Sequence, residues 1–181
     1  WEKELGRYKG DKTKIDKEIK EQGGKALAEL ESQIKGLQAK AKPSAKRPEF
    51  GYHSKIEKSD DKEKWVQVNL GERVDIKKII LHACHDDHNS IGAGFGFPVR
   101  FQIIASNRAD FSRSQVLVDE SGRDFANPGL VPIEHGVQSS ARYIRVKATK
   151  LAPRSNDYIF ALAELEVFDG NGNNRAFKAK V

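Results

Sequence analysis

The sequence lacks several features that would assign a chain to a particular class. It has no methionine and one cysteine, Cys84, among its 181 residues. One cysteine excludes an internal disulfide and the paired-cysteine zinc and redox sites. No apolar run approaches the roughly 20 residues of a membrane-spanning helix, so the sequence predicts no such helix. Because position 1 is Trp, we expect a piece of a longer protein that carries no signal peptide of its own.

The chain has a net charge of +6, and most of it lies in the first quarter. Residues 1–48 hold 13 basic and 8 acidic side chains, which leaves the remainder close to neutral. A nucleic-acid surface groups basic residues with aromatic residues that stack on bases. Here acidic residues are interleaved with the basic ones, and the only aromatics are Trp1 and Tyr8. The pattern therefore predicts no nucleic-acid partner.

The first 42 residues have the spacing of helices. Apolar residues recur every three or four positions both before and after Gly23-Gly24. Two successive glycines make a continuous helix costly, so the pattern predicts an α-helical hairpin or short coiled coil over residues 1–42. We interpret it as a spacer rather than a binding helix. Two prolines in the next segment, PSAKRP, end the helical pattern, and we assign residues 43–49 to a linker.

Beyond residue 49 the apolar period changes to two, which is typical of β-strands. Turns rich in Gly, Pro, Asn and Asp separate the strands, and no helix-length segment lies between them, so the pattern predicts an all-β sandwich or barrel. Eight strands are predicted, starting near Tyr52, Val66, Ile76, Val99, Gln115, Leu130, Arg142 and Ile159. We expect the core to contain Trp65, Phe101, Tyr143, Ile144, Phe160, Leu162, Leu165 and Val167.

Four segments carry a family resemblance by their order and spacing: WVQVNLG, IKKIILHA, ARYIRVKATKL and ALAELEVF. Over residues 50–168 the chain resembles the F5/8 type C (discoidin) domains. The segments GFGFPVRF, DFANPG and RSNDYIFALAELEVF resemble discoidin domains embedded in large exported bacterial proteins with cytochrome-c-like regions.

The resemblance implies a galactose-binding-like jelly-roll sandwich, preceded here by the helical hairpin. It also implies a non-catalytic binding module for glycans, phospholipid surfaces or proteins, in the periplasm or outside the cell. Residues 169–181 would extend toward a following domain.

The chain departs from the usual pattern of that family in two ways. One cysteine cannot form the disulfide that joins the ends of discoidin domains in blood proteins. The loop that would insert into lipid offers only Ile91, Phe95 and Phe97 as large apolar residues. We therefore expect a glycan, or neighbouring domains of the parent protein, as the partner.

If eight antiparallel strands each cross the sandwich once, alternate connections emerge at the same end. The connections at about 55–64, 85–98, 119–129 and 149–158 would then share one end, with both chain ends at the other. Arg, Asn and Asp bind sugar hydroxyls, and an aromatic ring covers the apolar side of a sugar. The segment RSNDY supplies all four residue types. The predicted ligand residues are His85, Asp86, His88, Asn89, Arg154, Asn156, Asp157 and Tyr158.

The same polar residues also have a structural interpretation. In it, Arg154 pairs with Asp157, Asn156 serves a turn and Tyr158 packs at the start of the last strand. The protein would then be a structural module whose loops pack against neighbouring domains.

Metal binding and catalysis use the same part of the sequence. The run from His82 to His88 contains the ligand types of zinc, and Asp60-Asp61 and Asp86-Asp87 offer oxygens to calcium, but neither spacing forces a site. A structural calcium ion is therefore an alternative, and otherwise no cofactor is expected. Only a histidine beside Asp86 and Asp87 resembles an acid–base pair, so we predict no enzyme, although the parent protein can be one.

Overall fold

A computed structural model describes residues 11–18, 23–24, 28–36, 50–86 and 92–181. The chain divides into two compact units, Trp1–Ala45 and Lys46–Val181. The predicted linker at 43–49 lies outside the described residues, and the predicted domain boundaries stay a prediction.

In the first unit, residues 11–18, 23–24 and 28–36 are helical. Gly24 has φ +51, a left-handed conformation that glycine adopts without strain. Three apolar side chains of the predicted stripe, Ile15, Leu30 and Ile34, are each more than half exposed. No helix in the described ranges is long and apolar enough to cross a membrane.

The second unit is built from antiparallel strands, which confirms the predicted all-β fold. The described strands are β1 (Tyr52–His53), β2 (Lys64–His82), β3 (Cys84–Asp86), β4 (Gly92–Phe95), β5 (Arg100–Ser106), β6 (Ser114–Glu120), β7 (Ile133–Lys150), β8 (Ala152–Pro153), β9 (Tyr158–Ile159), β10 (Ala161–Leu162) and β11 (Glu164–Asp169). One sheet has the order β11-β2-β7-β5-β6, and three two-stranded pairs join β1 with β10, β3 with β4 and β8 with β9.

Two long strands replace four of the eight predicted ones. β2 covers the second and third predicted strands, and β7 covers the sixth and seventh. Gly71 lies between the predicted strand starts at Val66 and Ile76. It has φ +85 and lies in a β-bulge, because the pairing of β2 with β7 shifts between Asn69 and Val74. A glycine in an alternating pattern marks an interruption without distinguishing a bulge from a turn. The prediction of eight strands that each cross the sandwich once is therefore wrong.

The bend in β7 folds the sheet over its own core. Phe101 of β5 pairs with Ala148 of β7, and a straight strand from Ala148 back to His135 would span about 43 Å. The rings of Phe101 and His135 nevertheless lie 6.3 Å apart. β7 must therefore double back, and the two halves of the sheet face each other as the layers of a sandwich.

One continuous core fills the space between these layers and includes residues of the short strand pairs. Main-chain bonds hold the short pairs in place, since Ser54 donates to the carbonyl of Phe160 at 2.8 Å and Ala161 donates to that of Gly96 at 2.8 Å. The core prediction is confirmed for six of its eight members, namely Phe101, Ile144, Phe160, Leu162, Leu165 and Val167.

The core prediction is wrong for Trp65 and Tyr143, which lie outside it. Val66 is buried, so Trp65 at the preceding position must face outward, and it is 48% exposed. Its ring packs against the Arg145 guanidinium, whose central carbon is 4.1 Å from the Trp65 ring centre and 3.8 Å from that of Phe111. The alternation of the strand decided which way Trp65 faces, although a tryptophan can bury a large apolar area.

His135 has a buried ring nitrogen, Nε2, with no hydrogen-bond partner in the described part of the chain. Burial lowers the pKa of His135, and the carboxylate of Glu120 opposes this with a smaller effect. The folded state therefore favours the neutral imidazole. Because the folded pKa lies below the unfolded value of about 6.5, this stabilisation is complete above pH 6.5 and is lost as the pH falls through that value toward the folded pKa.

We expect the free energy of unfolding to fall more steeply between pH 7.5 and pH 5 in the wild type than in a His135→Gln variant, as measured by urea denaturation. Equal slopes for the wild type and His135→Gln would contradict the assignment.

Candidate ligand-binding rim

The four predicted connections meet at one end of the sandwich, which we call the rim. In the described part of the chain it comprises residues 54–63, 85–86, 92–99, 121–132 and 151–158. Glu57 and Tyr158 exchange two main-chain hydrogen bonds of 2.9 Å. The N–H of Leu151 donates to the carbonyl of Asp60 at 2.8 Å. The first and last connections are therefore joined along the main chain.

The other two connections adjoin the same end. The N–H of Val99 donates to the carbonyl of Lys150 at 3.0 Å, and the N–H of Phe125 donates to the carbonyl of Val99 at 2.7 Å. Asn127 lies directly against Gly94, where an added Cβ would come within 1.6 Å of the Asn127 Oδ1. This contact links the third connection to the second.

The predicted loops share one end of the sandwich although the predicted number of strands was wrong. β2 and β7 each bend at the far end of the sandwich, so each brings both of its ends back to the rim. The two bends stand where two connections at the far end had been expected. A bend in one long strand reverses the chain as a turn between two strands would, so the other ends of β2 and β7 still lie at the rim.

Arg154 and Asp157 form a bidentate ion pair on the rim. Arg154 Nε donates to Asp157 Oδ1 at 2.6 Å and a terminal nitrogen donates to Oδ2 at 2.8 Å, while the Arg154 main-chain N–H donates to the Asp157 carbonyl at 2.7 Å. The hydrogen bond from Arg154 lowers the pKa of the Asp157 carboxyl group. Asn156 between them is exposed, whereas Tyr158 is half-buried against the main core.

The histidine-rich stretch is anchored to the same part of the rim. His85 pairs with Ala93 in the ladder between β3 and β4, and Asp86 is the last residue of β3. Cys84 and Phe95 pack with Ile159 and Ala161 in a small second core cluster. Through this cluster, the histidine-rich stretch that follows Cys84 packs beside β9, which follows the Arg154–Asp157 pair. The predicted ligand residues His88 and Asn89 lie outside the described residues.

Several groups considered as metal ligands have protein partners. His82 Nε2 lies 2.9 Å from Glu166 Oε2, and Cys84 Sγ donates to the carbonyl of Phe50 at 3.0 Å. The hydroxyl of Ser59 donates to the carboxylate of Asp61, which lowers the pKa of Asp61. Across the described ranges, no three His, Cys, Asp or Glu side chains are grouped as a metal site would require.

Two of the three large apolar residues of the glycine-rich segment, Phe95 and Phe97, are not available for insertion into lipid. Phe95 and Phe97 are only 8% and 4% exposed, and Phe97 packs edge-on against Phe101. Ile91 lies outside the described residues. The glycines of this segment, which include Gly94 with φ +79 and Gly96 with φ +67, let the chain turn its aromatic residues inward.

The sequence did not reveal a charged cluster at the rim, in which Asp124 binds two cations. Arg100 Nε donates to Asp124 Oδ1 at 2.6 Å and Lys150 Nζ donates to Oδ2 at 2.9 Å. The hydrogen bonds from Lys150 and then Arg100 lower the pKa of Asp124. The sequence shows that Arg100 and Lys150 each lie near an end of a predicted strand. Their proximity depends on the register of β5 with β7, in which Arg100 stands opposite Lys150.

The C-terminal tail lies at the far end, as predicted, since the N–H of Asn69 beside the bend donates to the carbonyl of Lys180 at 2.9 Å. The start of the sandwich lies beside this tail, since Gly51, Tyr52 and Val181 line one hollow. The carbonyl of Phe50 accepts from Cys84 Sγ at 3.0 Å, just beyond the end of β2.

No protein-family model matches the chain, and no curated protein matches it. Among solved structures, it resembles the family 32 CBM of Clostridium perfringens NanJ in complex with galactose (TM-score 0.48, 18% identity, covering 68% of this chain and 79% of that one). It also resembles chitosan-binding module 1 of the chitosanase/glucanase from Paenibacillus sp. IK-5 (0.46, 18%, 62% and 74%). A third is the lectin domain of Lectinolysin complexed with Lewis B antigen (0.44, 21%, 70% and 80%). The likeness is one of fold.

We expect Gly94→Ala to destabilise the protein more than Gly92→Ala. Both glycines have φ near +80, so an L-residue at either costs about 1–2 kcal/mol of backbone strain. Only Gly94 would also displace Asn127, because no described atom lies within 4 Å of a Cβ at Gly92. Thermal unfolding should separate the variants by about 1 kcal/mol or more. Equal destabilisation would mean that Asn127 does not hold these connections together.

Proposed function

We propose that the chain is a non-catalytic glycan-binding module that binds sugar hydroxyls at the rim. The observation that carries the proposal is the Arg154–Asp157 pair, in which a planar cation and a carboxylate are fixed side by side around the exposed Asn156. The proposed ligand residues are those of the sequence prediction: His85, Asp86, His88, Asn89, Arg154, Asn156, Asp157 and Tyr158.

The pair has hydrogen-bonding capacity left for a ligand. A guanidinium has five N–H donors, and Asp157 occupies only two of its nitrogens. A carboxylate accepts about four hydrogen bonds, so Asp157 can also accept from a hydroxyl. Vicinal sugar hydroxyls both donate and accept, which suits a neighbouring cation, amide and carboxylate.

The pair is held before any ligand binds. The strands on either side of it, β8 and β9, pair with each other, and Tyr158 forms main-chain hydrogen bonds with Glu57. A fixed geometry reduces the ordering entropy that binding must overcome. Because Arg154 and Asn156 are exposed, a ligand there buries little surface, so we expect a Kd of roughly micromolar to millimolar.

The rest of the proposal concerns cofactor, partners and location. The proposal includes no cofactor, and calcium at Asp60-Asp61 would be structural. Partners are glycans or neighbouring domains of the parent protein, without nucleic acid. The location is periplasmic or extracellular.

We expect Arg154→Ala to weaken binding at least tenfold for the best ligand found on a glycan array, with galactose- and chitosan-type oligosaccharides as first probes and calorimetry as the measurement. Arg154→Lys should also weaken binding, because lysine cannot pair in the planar bidentate geometry. The matched control is Arg108→Ala, which removes the cation of an exposed Arg108–Asp110 pair in another loop. Unchanged affinity in Arg154→Ala, at an unchanged unfolding temperature, would contradict the proposal.

A second candidate function is a structural module whose rim packs against a neighbouring domain. Two adjacent apolar residues at the rim, Leu130 and Val131, favour it because they are 65% and 69% exposed. Titration with oligosaccharides should shift the rim amide resonances if the rim binds glycans and leave them unchanged if it serves only protein contact.

A further inference from the structure

Trp65 belongs to a stack of three side chains on the outer face of the main sheet. The guanidinium of Arg145 lies between two rings, with its central carbon 4.1 Å from the Trp65 ring centre and 3.8 Å from that of Phe111. Two of its nitrogens donate to Gln67 Oε1 at 3.2 and 2.7 Å. The indole of Trp65 is therefore held in a fixed orientation from one side.

The stack contains two features that packing alone does not require. Phe111 has φ +55, a left-handed conformation in which a bulky residue is strained. Arg145 has no carboxylate partner in the described ranges, and burial lowers its pKa. Backbone strain concentrates at functional sites, so the stack is a candidate for more than a structural role.

A hollow of about 570 Å³ lies beside the Trp65 indole. Trp65 and Tyr52 contribute rings to its wall, Glu63 contributes a carboxylate and Gln67 an amide. Arg145 is not among the described residues that line it, so the indole separates the guanidinium from the hollow. Because Trp65 is 48% exposed, much of its ring is accessible to a ligand.

The polar groups around the hollow can serve sugar hydroxyls. Glu63 Oε1 accepts from Lys147 Nζ at 3.2 Å, which leaves the second carboxylate oxygen to accept from a hydroxyl. Gln67 Nε2 has one long contact, of 3.5 Å, with a main-chain carbonyl, so it can donate to a ligand. The charges beside the hollow are balanced, since Glu63 pairs with Lys147 and Lys64 pairs with Glu57.

We propose that the hollow beside Trp65 is a second sugar site, in which a neutral pyranose ring stacks on the indole. The rings of a β-1,4-linked glucose polymer carry equatorial substituents, so each presents a flat C–H face to an aromatic ring and hydroxyl groups at its edge. None of the ligand residues proposed for the rim takes part. This inference therefore goes beyond the proposed function and does not depend on it.

Arg145 determines the charge that the site accepts. A sugar in contact with the indole lies about 4 Å from it, and the guanidinium lies 4.1 Å behind the same ring. The two are then closer than the Debye length of about 10 Å at 0.1 M salt, so their charges interact. A protonated amino sugar is repelled, whereas a neutral sugar is not.

The test uses intrinsic fluorescence, because Trp1 and Trp65 are the only tryptophans in the chain. Trp1→Phe leaves Trp65 as the single reporter. The probes are three β-1,4-linked hexasaccharides that differ only at carbon 2 of each ring. They are cellohexaose with a hydroxyl, N-acetylchitohexaose with an acetamido group and chitohexaose with an amine that is protonated at pH 5.5, the pH of the titration.

We expect both neutral hexasaccharides to change the Trp65 emission saturably and chitohexaose to bind at least threefold more weakly. In calorimetry, Trp65→Ala should weaken binding of the neutral sugars at least tenfold. Phe177→Ala, which removes another exposed ring, should leave it unchanged. If Trp65→Ala fails to fold, the emission of the intact Trp65 still decides the question.

Arg154→Ala, introduced together with Trp1→Phe, separates this site from the rim. The Trp65 response should persist in it, and it should persist even if the rim binds no sugar. The proposal would be overturned if the response disappears in Arg154→Ala, if neither neutral sugar produces it, or if chitohexaose binds as tightly as the neutral sugars.

Discussion

The bend that β2 and β7 share at their bulges is the constraint on which the rest of the structure depends. It turns the five-stranded sheet back over itself, so in the described part of the chain this one sheet encloses a sandwich core. The glycine at the bend, Gly71, has a φ that L-residues adopt only with strain. Because both halves of each long strand share one backbone, the two layers cannot separate without breaking β2 or β7.

The sequence carried the fold class and the inward positions because these depend on a local two-residue period. Val66 and Val68 could be assigned to the core from alternation alone, and the same rule, applied strictly, would have placed Trp65 outside. The bend could not be predicted in this way. A bulge and a turn use the same residue type, and the choice between them depends on whether a partner strand bends at the same place.

The rim was predicted in outline and not in its contacts. The segment RSNDY was selected by residue type, and its structural interpretation is correct in geometry, since Arg154 does pair with Asp157 and Tyr158 does pack on the core. Such pairing is compatible with ligand binding, because an ion pair that is already formed presents its remaining donors at fixed positions. The cluster around Asp124 required the register between distant strands, which one sequence does not specify.

Cys84 has a practical consequence of its own. It is the only thiol in the chain, and it is completely buried in the small cluster beside the rim rather than in the main core. A thiol reagent can therefore react only when this cluster opens, since modification requires an accessible thiolate. The rate at which a thiol reagent labels Cys84 in the unmodified protein thus measures local opening beneath the rim separately from global unfolding.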